Sequence, residues 1–206
     1  MPKEEWRESL RPRIDQVRRQ LHGEGIEDVA RRAGLTLRDG AVALTLLGAD
    51  YTIGWPELAI AFPDGTPCPE EIEILILDYL VRSDGSPPTG MWIGFQELPD
   101  GAFYRSAFQG YSGQQLVRDL GADIERFRRA ASACNGEPVP MGDAAFAFRV
   151  LPNVPLSVVW WNGDDEFPAT ATVLFDRVAG VYLPTDGLAI LGRMLCRNLA
   201  KAAVSP

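Results

Sequence analysis

An α+β protein, with antiparallel sheet packed against several helices, is what three features of this sequence predict. Three consecutive runs between Ala144 and Phe175 alternate apolar and polar residues at a period of two, with short turns between them. Other segments repeat apolar residues at three- and four-residue steps. The composition is that of a globular chain: 206 residues, 46% hydrophobic and 23% charged. A chain of this length buries about 70% of its unfolded surface, so it needs no metal or disulfide to stay folded.

From the N-terminus, Trp6, Leu10, Ile14, Val17 and Leu21 form one stripe of a helix that Gly23 and Gly25 end. Arg7, Arg11, Arg13, Arg18 and Arg19 interleave there with Glu4, Glu8 and Asp15, the pattern of a solvated helix laced with its own ion pairs. A short helix follows over Ile26 to Ala33. The runs Ala41–Leu47 and Leu58–Phe62, with Tyr51–Ile53 between them, predict a small antiparallel meander. Pro69, Glu70 and Glu71 open a helix to Arg82 that is apolar around most of its circumference. Ser83–Gly90 is a loop, too short to establish a domain boundary.

Trp92–Leu98 reads as extended. Helices are expected over Ala102–Gln109, Ser112–Leu120 and Asp123–Cys134, with Ser112 in a capping box with Gln115 and Asp123 as a second N-cap. The C-terminal meander carries Ala144–Val150, Leu156–Trp161 and Ala169–Phe175. Pro184-Thr185-Asp186 opens a last helix with Leu188, Leu191, Leu195 and Leu199 on one side. Residues 1–206 thus read as one domain, with 1–24 an appended charged helix.

The net charge is −8, with nine basic against seven acidic residues up to position 38 and eleven against twenty-one beyond it. Nucleic acid is not an expected partner of so acidic a body, because that affinity rests on clustered Lys and Arg. No apolar run approaches the roughly 20 residues that cross a bilayer, and the first twenty residues lack the apolar core of a signal peptide. A cytoplasmic protein without a membrane partner is expected. The three cysteines, Cys68, Cys134 and Cys196, stand more than sixty residues apart, so this chain encodes no disulfide framework, zinc site or iron–sulfur cluster by local spacing.

Two constellations carry candidate chemistry. Asp164, Asp165 and Glu166 are successive carboxylates between Trp161 and Phe167; they suit a hard divalent cation, although Asn162-Gly163-Asp164 is equally the composition of a solvated turn. Trp92, Phe95, Tyr104, Phe108 and Tyr111, with the vicinal pair Trp160-Trp161, are a candidate ligand pocket with Arg105 and Gln109 as polar handles. The commoner use of such an aromatic stripe is core, and alternation sends Trp160 and Trp161 to opposite faces of a strand. Catalytic motifs are missing. Ser112 lies in a G-x-S-G run one residue short of a nucleophile elbow, His22 ends a charged helix, and no HExxH, P-loop or GxGxxG occurs. Cys68, ahead of a helix N-terminus, is the one thiol whose acidity a helix dipole would raise.

Gly94–Phe108 (GFQELPDGAFYRSAF), Asp143, Leu151–Leu156 (LPNVPL), Gly163–Ala169 (GDDEFPA) and Leu174-Phe175-Asp176 together resemble domain of unknown function 3786. The resemblance covers about residues 25 to 200 and belongs to a family of anaerobic bacteria and archaea without an assigned activity. Some relatives carry an iron–sulfur domain ahead of this one, similar to modules of corrinoid-dependent one-carbon metabolism. Here a charged helix without a cysteine cluster stands in that place, so the resemblance implies that any cluster comes from a partner. A binding or accessory module for corrinoid or iron–sulfur enzymes is the leading expectation. A metal-dependent enzyme built on the acidic loop with Asp143 or Asp100 is a second, and a self-associating interaction domain is a third.

Overall fold

The computed structural model describes residues 3–38 and 41–204, and it consists of helices and two antiparallel sheets, an α+β fold. Where the sequence reads as one domain, contacts gather into two compact units. The first holds Met1–Pro87, Leu151–Asn153 and Val181–Pro184; the second holds Pro88–Val150, Val154–Gly180 and Thr185–Pro206. The first crossing falls inside the Ser83–Gly90 loop. Among the described residues no helix is long and apolar enough to cross a membrane.

The first unit comprises α1 (Lys3–Leu21), α2 (Ile26–Ala33), β1 (Thr36–Arg38), β2 (Ala41–Leu46), β3 (Ala49–Gly54), β4 (Ala59–Ala61) and α3 (Glu70–Arg82). Its sheet runs in the order β1-β2-β3-β4, every pair antiparallel. β2 and β3 are joined by Leu47 and Gly48, both at positive φ (51° and 81°), the two-residue turn whose twist matches that of the strands. α1 buries Leu10, Ile14, Val17 and Leu21 as its stripe requires; the side chains of Trp6 and Arg7 lie outside the described part.

Three arginines of α1 reach across to α3, while the side chains of Glu4, Arg7 and Glu8, expected to pair along the helix, lie outside the described residues. Arg11 pairs with Glu70 (3.3 Å), Arg13 with Asp78 (2.6 Å) and Arg18 with Glu73 (2.6 Å), so a ladder of ion pairs runs from α1 to α3. α3 supplies those acids from one side and buries Ile72, Ile74, Leu75, Ile76, Leu77 and Leu80 with the rest of its surface. Tyr79 is fully buried. Its hydroxyl donates to the Ala33 carbonyl (2.6 Å) and accepts from the Asn153 amide (3.3 Å), while its ring stacks on Tyr182 with centroids 5.5 Å apart.

The second unit is built on a five-stranded sheet in the order β5-β9-β8-β7-β6, formed by β5 (Trp92–Gly94), β6 (Glu137–Pro138), β7 (Ala144–Leu151), β8 (Val154–Trp161) and β9 (Thr170–Asp176). The expected meander is present as β7-β8-β9 and is widened by one short strand on each side. Register places Leu156 opposite Phe175, Val158 opposite Val173 and Trp160 opposite Ala171, one apolar face of fully buried side chains. Its helices are α4 (Gly101–Tyr111), α5 (Gly113–Leu120), α6 (Ile124–Ala133) and α8 (Thr185–Ala202), with the short α7 (Ala179–Tyr182) passing between the two units in sequence.

Two local expectations are corrected. β5 ends at Gly94, and Phe95–Glu97 is a 3-10 turn in which the Glu97 carboxylate accepts from the Gly94 amide (2.7 Å). Ser112 does not cap α5: its hydroxyl donates back to the Phe108 carbonyl (2.5 Å), where a Ser in mid-chain competes with the backbone. Asp123 does cap α6, accepting from the amides of Glu125 (2.8 Å) and Arg126 (3.1 Å).

Candidate functional site

The aromatic residues of 92–111 divide between two jobs. Phe95 and Phe108 stack with centroids 4.2 Å apart, and both meet Phe175 on β9 at 6.1 and 5.8 Å. Trp160 is fully buried and stacks on Phe127 of α6 (5.3 Å), apart from that group. These rings fill the interior where a pocket was the candidate. Space is so short that a Cβ on Gly192 of α8 would come within 2.8 Å of the Phe108 ring.

The remaining aromatics face outward. On α4, Phe103 is 87% exposed and Tyr104 63%, while Tyr111 is 39% exposed and meets Phe108 edge-on (5.7 Å). Phe103, Ala107 and Tyr111 follow at steps of four along one side of α4, and Tyr104 shares the neighbouring stripe with Tyr111 and the buried anchor Phe108. Trp92 is half-buried, and Trp161 is 41% exposed on the face of β8 opposite Trp160.

Two exposed arginines lie on or near α4. Arg105 is exposed on the helix itself. Arg118 on α5 donates to the Gly110 carbonyl (3.1 Å), which places its guanidinium at the last turn of α4. Burial pushes the Tyr111 phenol up, and the nearby Arg193 of α8 opposes that shift. Gln109, expected as a polar handle, is spent instead on the Ala171 carbonyl (2.7 Å) and ties α4 to β9. The junction from α4 to α5 depends on Gly113, whose Cβ would collide with that same carbonyl.

The acidic loop is a tight turn. The Asp164 carboxylate accepts from the amides of Phe167 (2.8 Å) and Glu166 (2.9 Å), and these bonds hold its carboxyl below the ordinary range. The Asp164 amide donates to the Phe167 carbonyl (2.8 Å), and Asp143 accepts from the Asn162 amide (2.7 Å). Asp165, Glu166 and Phe167 are left exposed at the tip, Phe167 by 67%. Among the described residues no three His, Cys, Asp or Glu side chains converge on a point where they would share a metal ion, so Asp164, Asp165 and Glu166 do not form a ready-made cation nest.

The thiol expectation is overturned at Cys68. Its pKa is pushed up to about 11, first by burial and then by the Glu73 carboxylate, against a smaller opposing effect of Arg18. The helix that was to acidify it begins with Glu70, Glu71 and Glu73, whose charges answer the dipole themselves. Cys196 is pushed up to about 12 by burial, and Cys134 is raised by burial as well. His22 is exposed just beyond α1. A shallow groove of about 490 Å³ lies between α1 and α3, lined by Arg13, Gln16, Gln20, Asp78 and Arg82 over Val17 and Val81.

Three features escaped the sequence reading. Phe103 stands outside the predicted pocket residues, yet it is 87% exposed on α4. Phe167 enters the sequence reading only as the boundary of the acidic segment, and it is 67% exposed. Asp176, at the end of β9, is wholly buried and accepts from the amides of Thr89, Gly90 and Val178; a carboxylate closing an apolar strand was the signal.

Comparison with known proteins adds one assignment. The family described as Domain of unknown function (DUF3786) matches residues 25–198, and the chain belongs to it. No curated protein and no solved structure matches the chain.

Proposed function

For this member of the DUF3786 family, we propose that the second unit is a protein-docking module whose contact surface is the outer face of α4. The observation that carries the reading is the exposure of Phe103 (87%) and Tyr104 (63%) on a helix already anchored by the buried Phe108. Apolar surface of that size costs free energy in water and does nothing for the fold, so its use lies in a partner. Aromatic residues and arginine are the residue types that dominate interface energetics, and Arg105 on α4 and Arg118 at its last turn are both exposed. The reading favours a macromolecular partner over a small ligand, because Phe95, Phe108 and Trp160 occupy the volume in which a flat ligand was anticipated.

The partner class implied by the family resemblance, a corrinoid or an iron–sulfur protein, is the first to try. Purified representatives of each are titrated into the wild type and into Phe103→Ala/Tyr104→Ala by calorimetry. One of them binds the wild type, and the double variant binds at least tenfold more weakly with an unchanged melting curve. Equal binding by the variant moves the contact elsewhere. No binding of either protein removes that partner class.

A further inference from the structure

Helix α1 stands apart from the rest of the first unit. It lies ahead of the family segment, which begins at residue 25. Its tether to α2 is His22-Gly23-Glu24-Gly25; a Cβ on Gly23 would meet nothing within 4 Å, while Glu24 is anchored on Arg32 (2.5 Å), so the tether is open at Gly23 and fixed beyond it. Pro12, inside the helix, has no amide proton to give to the preceding turn, which makes α1 a poor helix on its own. What holds it is a matched surface. Leu10, Ile14, Val17 and Leu21 are buried, and Arg11, Arg13 and Arg18 pair with Glu70, Asp78 and Glu73 of α3. The match is one of charge as well as shape: from residue 39 to residue 81 the chain carries eight Asp and Glu and no Lys or Arg. The three arginine side chains are between 35% and 76% exposed, so salt reaches the pairs. The groove of about 490 Å³ between the two helices stays open, so α1 does not fill the seat it occupies.

We propose that the acidic side of α3 is a docking face for a basic amphipathic helix of a partner protein, and that α1 occupies this face in cis as a displaceable strap. The strap is the imprint of the ligand: aliphatic residues at four- and three-residue steps, with arginines set to meet Glu70, Glu73 and Asp78. On so short a tether α1 acts at an effective concentration on the order of millimolar, so an outside helix wins only when it binds more tightly or when α1 is loosened. Since α3 belongs to the first unit, this inference stands independently of the α4 reading.

Exchange of charge in trans tests it on the full chain. Arg13→Glu/Arg18→Glu sets like charges against Asp78 and Glu73 and should free α1; the probe is a fluorescein-labelled peptide of residues 3–21. By anisotropy this peptide should bind the variant at least about tenfold more tightly than the wild type, where the cis helix leaves only a small fraction of faces open. Glu73→Arg/Asp78→Arg should refuse that peptide and bind instead one carrying Arg13→Glu/Arg18→Glu. In the wild type, hydrogen exchange should run faster through α1 than through α2 and α3, and about 0.5 M salt should widen the gap. The inference is overturned by α1 amides as protected as those of α3 at either salt concentration, or by charge-reversed chains that bind neither peptide. Equal binding of a peptide with the same composition and a scrambled aliphatic stripe overturns it too. So does a charge-reversed chain whose circular dichroism shows the fold lost, because α1 would then belong to the core.

Discussion

Removing the Asp176 carboxylate should cost more than any other single polar substitution in the second unit. It is wholly buried at the end of β9, and it accepts from Gly90 N (2.6 Å), Val178 N (2.9 Å), Thr89 N (3.0 Å) and the Thr89 hydroxyl (2.8 Å). In Asp176→Ala the amides of Thr89 and Gly90, which are exposed residues, can turn to water; that of Val178, which is 6% exposed, cannot. Hydrogen bonds to a charged acceptor contribute roughly 1.5–3 kcal/mol each, and an orphaned buried donor costs about 1–3 kcal/mol, so the alanine variant should lose about 4 kcal/mol or more. Asp176→Asn keeps one oxygen but turns an NH2 group toward an amide donor, for a loss of about 2 kcal/mol. Urea unfolding reads both as shifts in midpoint at constant slope. Trp92, paired with Asp176 across β5 and β9, gives a local fluorescence signal to set beside circular dichroism. An alanine variant within about 0.5 kcal/mol of the wild type would refute the reasoning, since that is the size of an unremarkable surface substitution.

Gly113→Ala should lower stability by about 2 kcal/mol or more in the same assay, because the added methyl meets the rigid Ala171 backbone and not a movable side chain. At pH 8 Cys68 should react with iodoacetamide roughly 200-fold more slowly than an ordinary thiol of pKa about 8.5, from its thiolate fraction at a pKa of about 11; Glu73→Gln should quicken it, and rapid labelling in the wild type would contradict the assignment. The Asp164 carboxyl is lowered in the folded state, so what it contributes is complete above the unfolded value of about 3.9 and fades as pH falls through its lower folded value. Asp164→Ala should therefore differ from the wild type in thermal melts above pH 4 and converge with it in stronger acid. A gap that widens on acidification would reverse that sign.

The helices and the C-terminal meander were legible because periodicity is a local signal: Leu156, Val158 and Trp160 had to share a face, and they do. What needed the third dimension was the partner of each polar group. Spacing offers the arginines of α1 only acids three and four residues away, and it gives no sign of Glu70, Glu73 and Asp78, some fifty-five to sixty-five residues on, which pair with Arg11, Arg18 and Arg13. The same applies to the aromatics. Spacing put Tyr104, Phe108 and Tyr111 on one stripe, but a helix resting on a sheet by a single ring turns Phe108 in and leaves Tyr104 out. β1, three residues long, is too short to show a period at all.

The itinerary of the backbone has a practical meaning for anyone who wishes to divide this protein. A fragment ending at Pro87 would contain every helix and strand of the first unit from α1 to α3 and still lack Asn153 and Tyr182. Tyr79 would then keep its bond to Ala33 and lose both the amide that reaches its oxygen and the ring that covers it. No single cut of the chain separates the two units, and ribosomal synthesis must pass residue 184 before the first unit has all its parts.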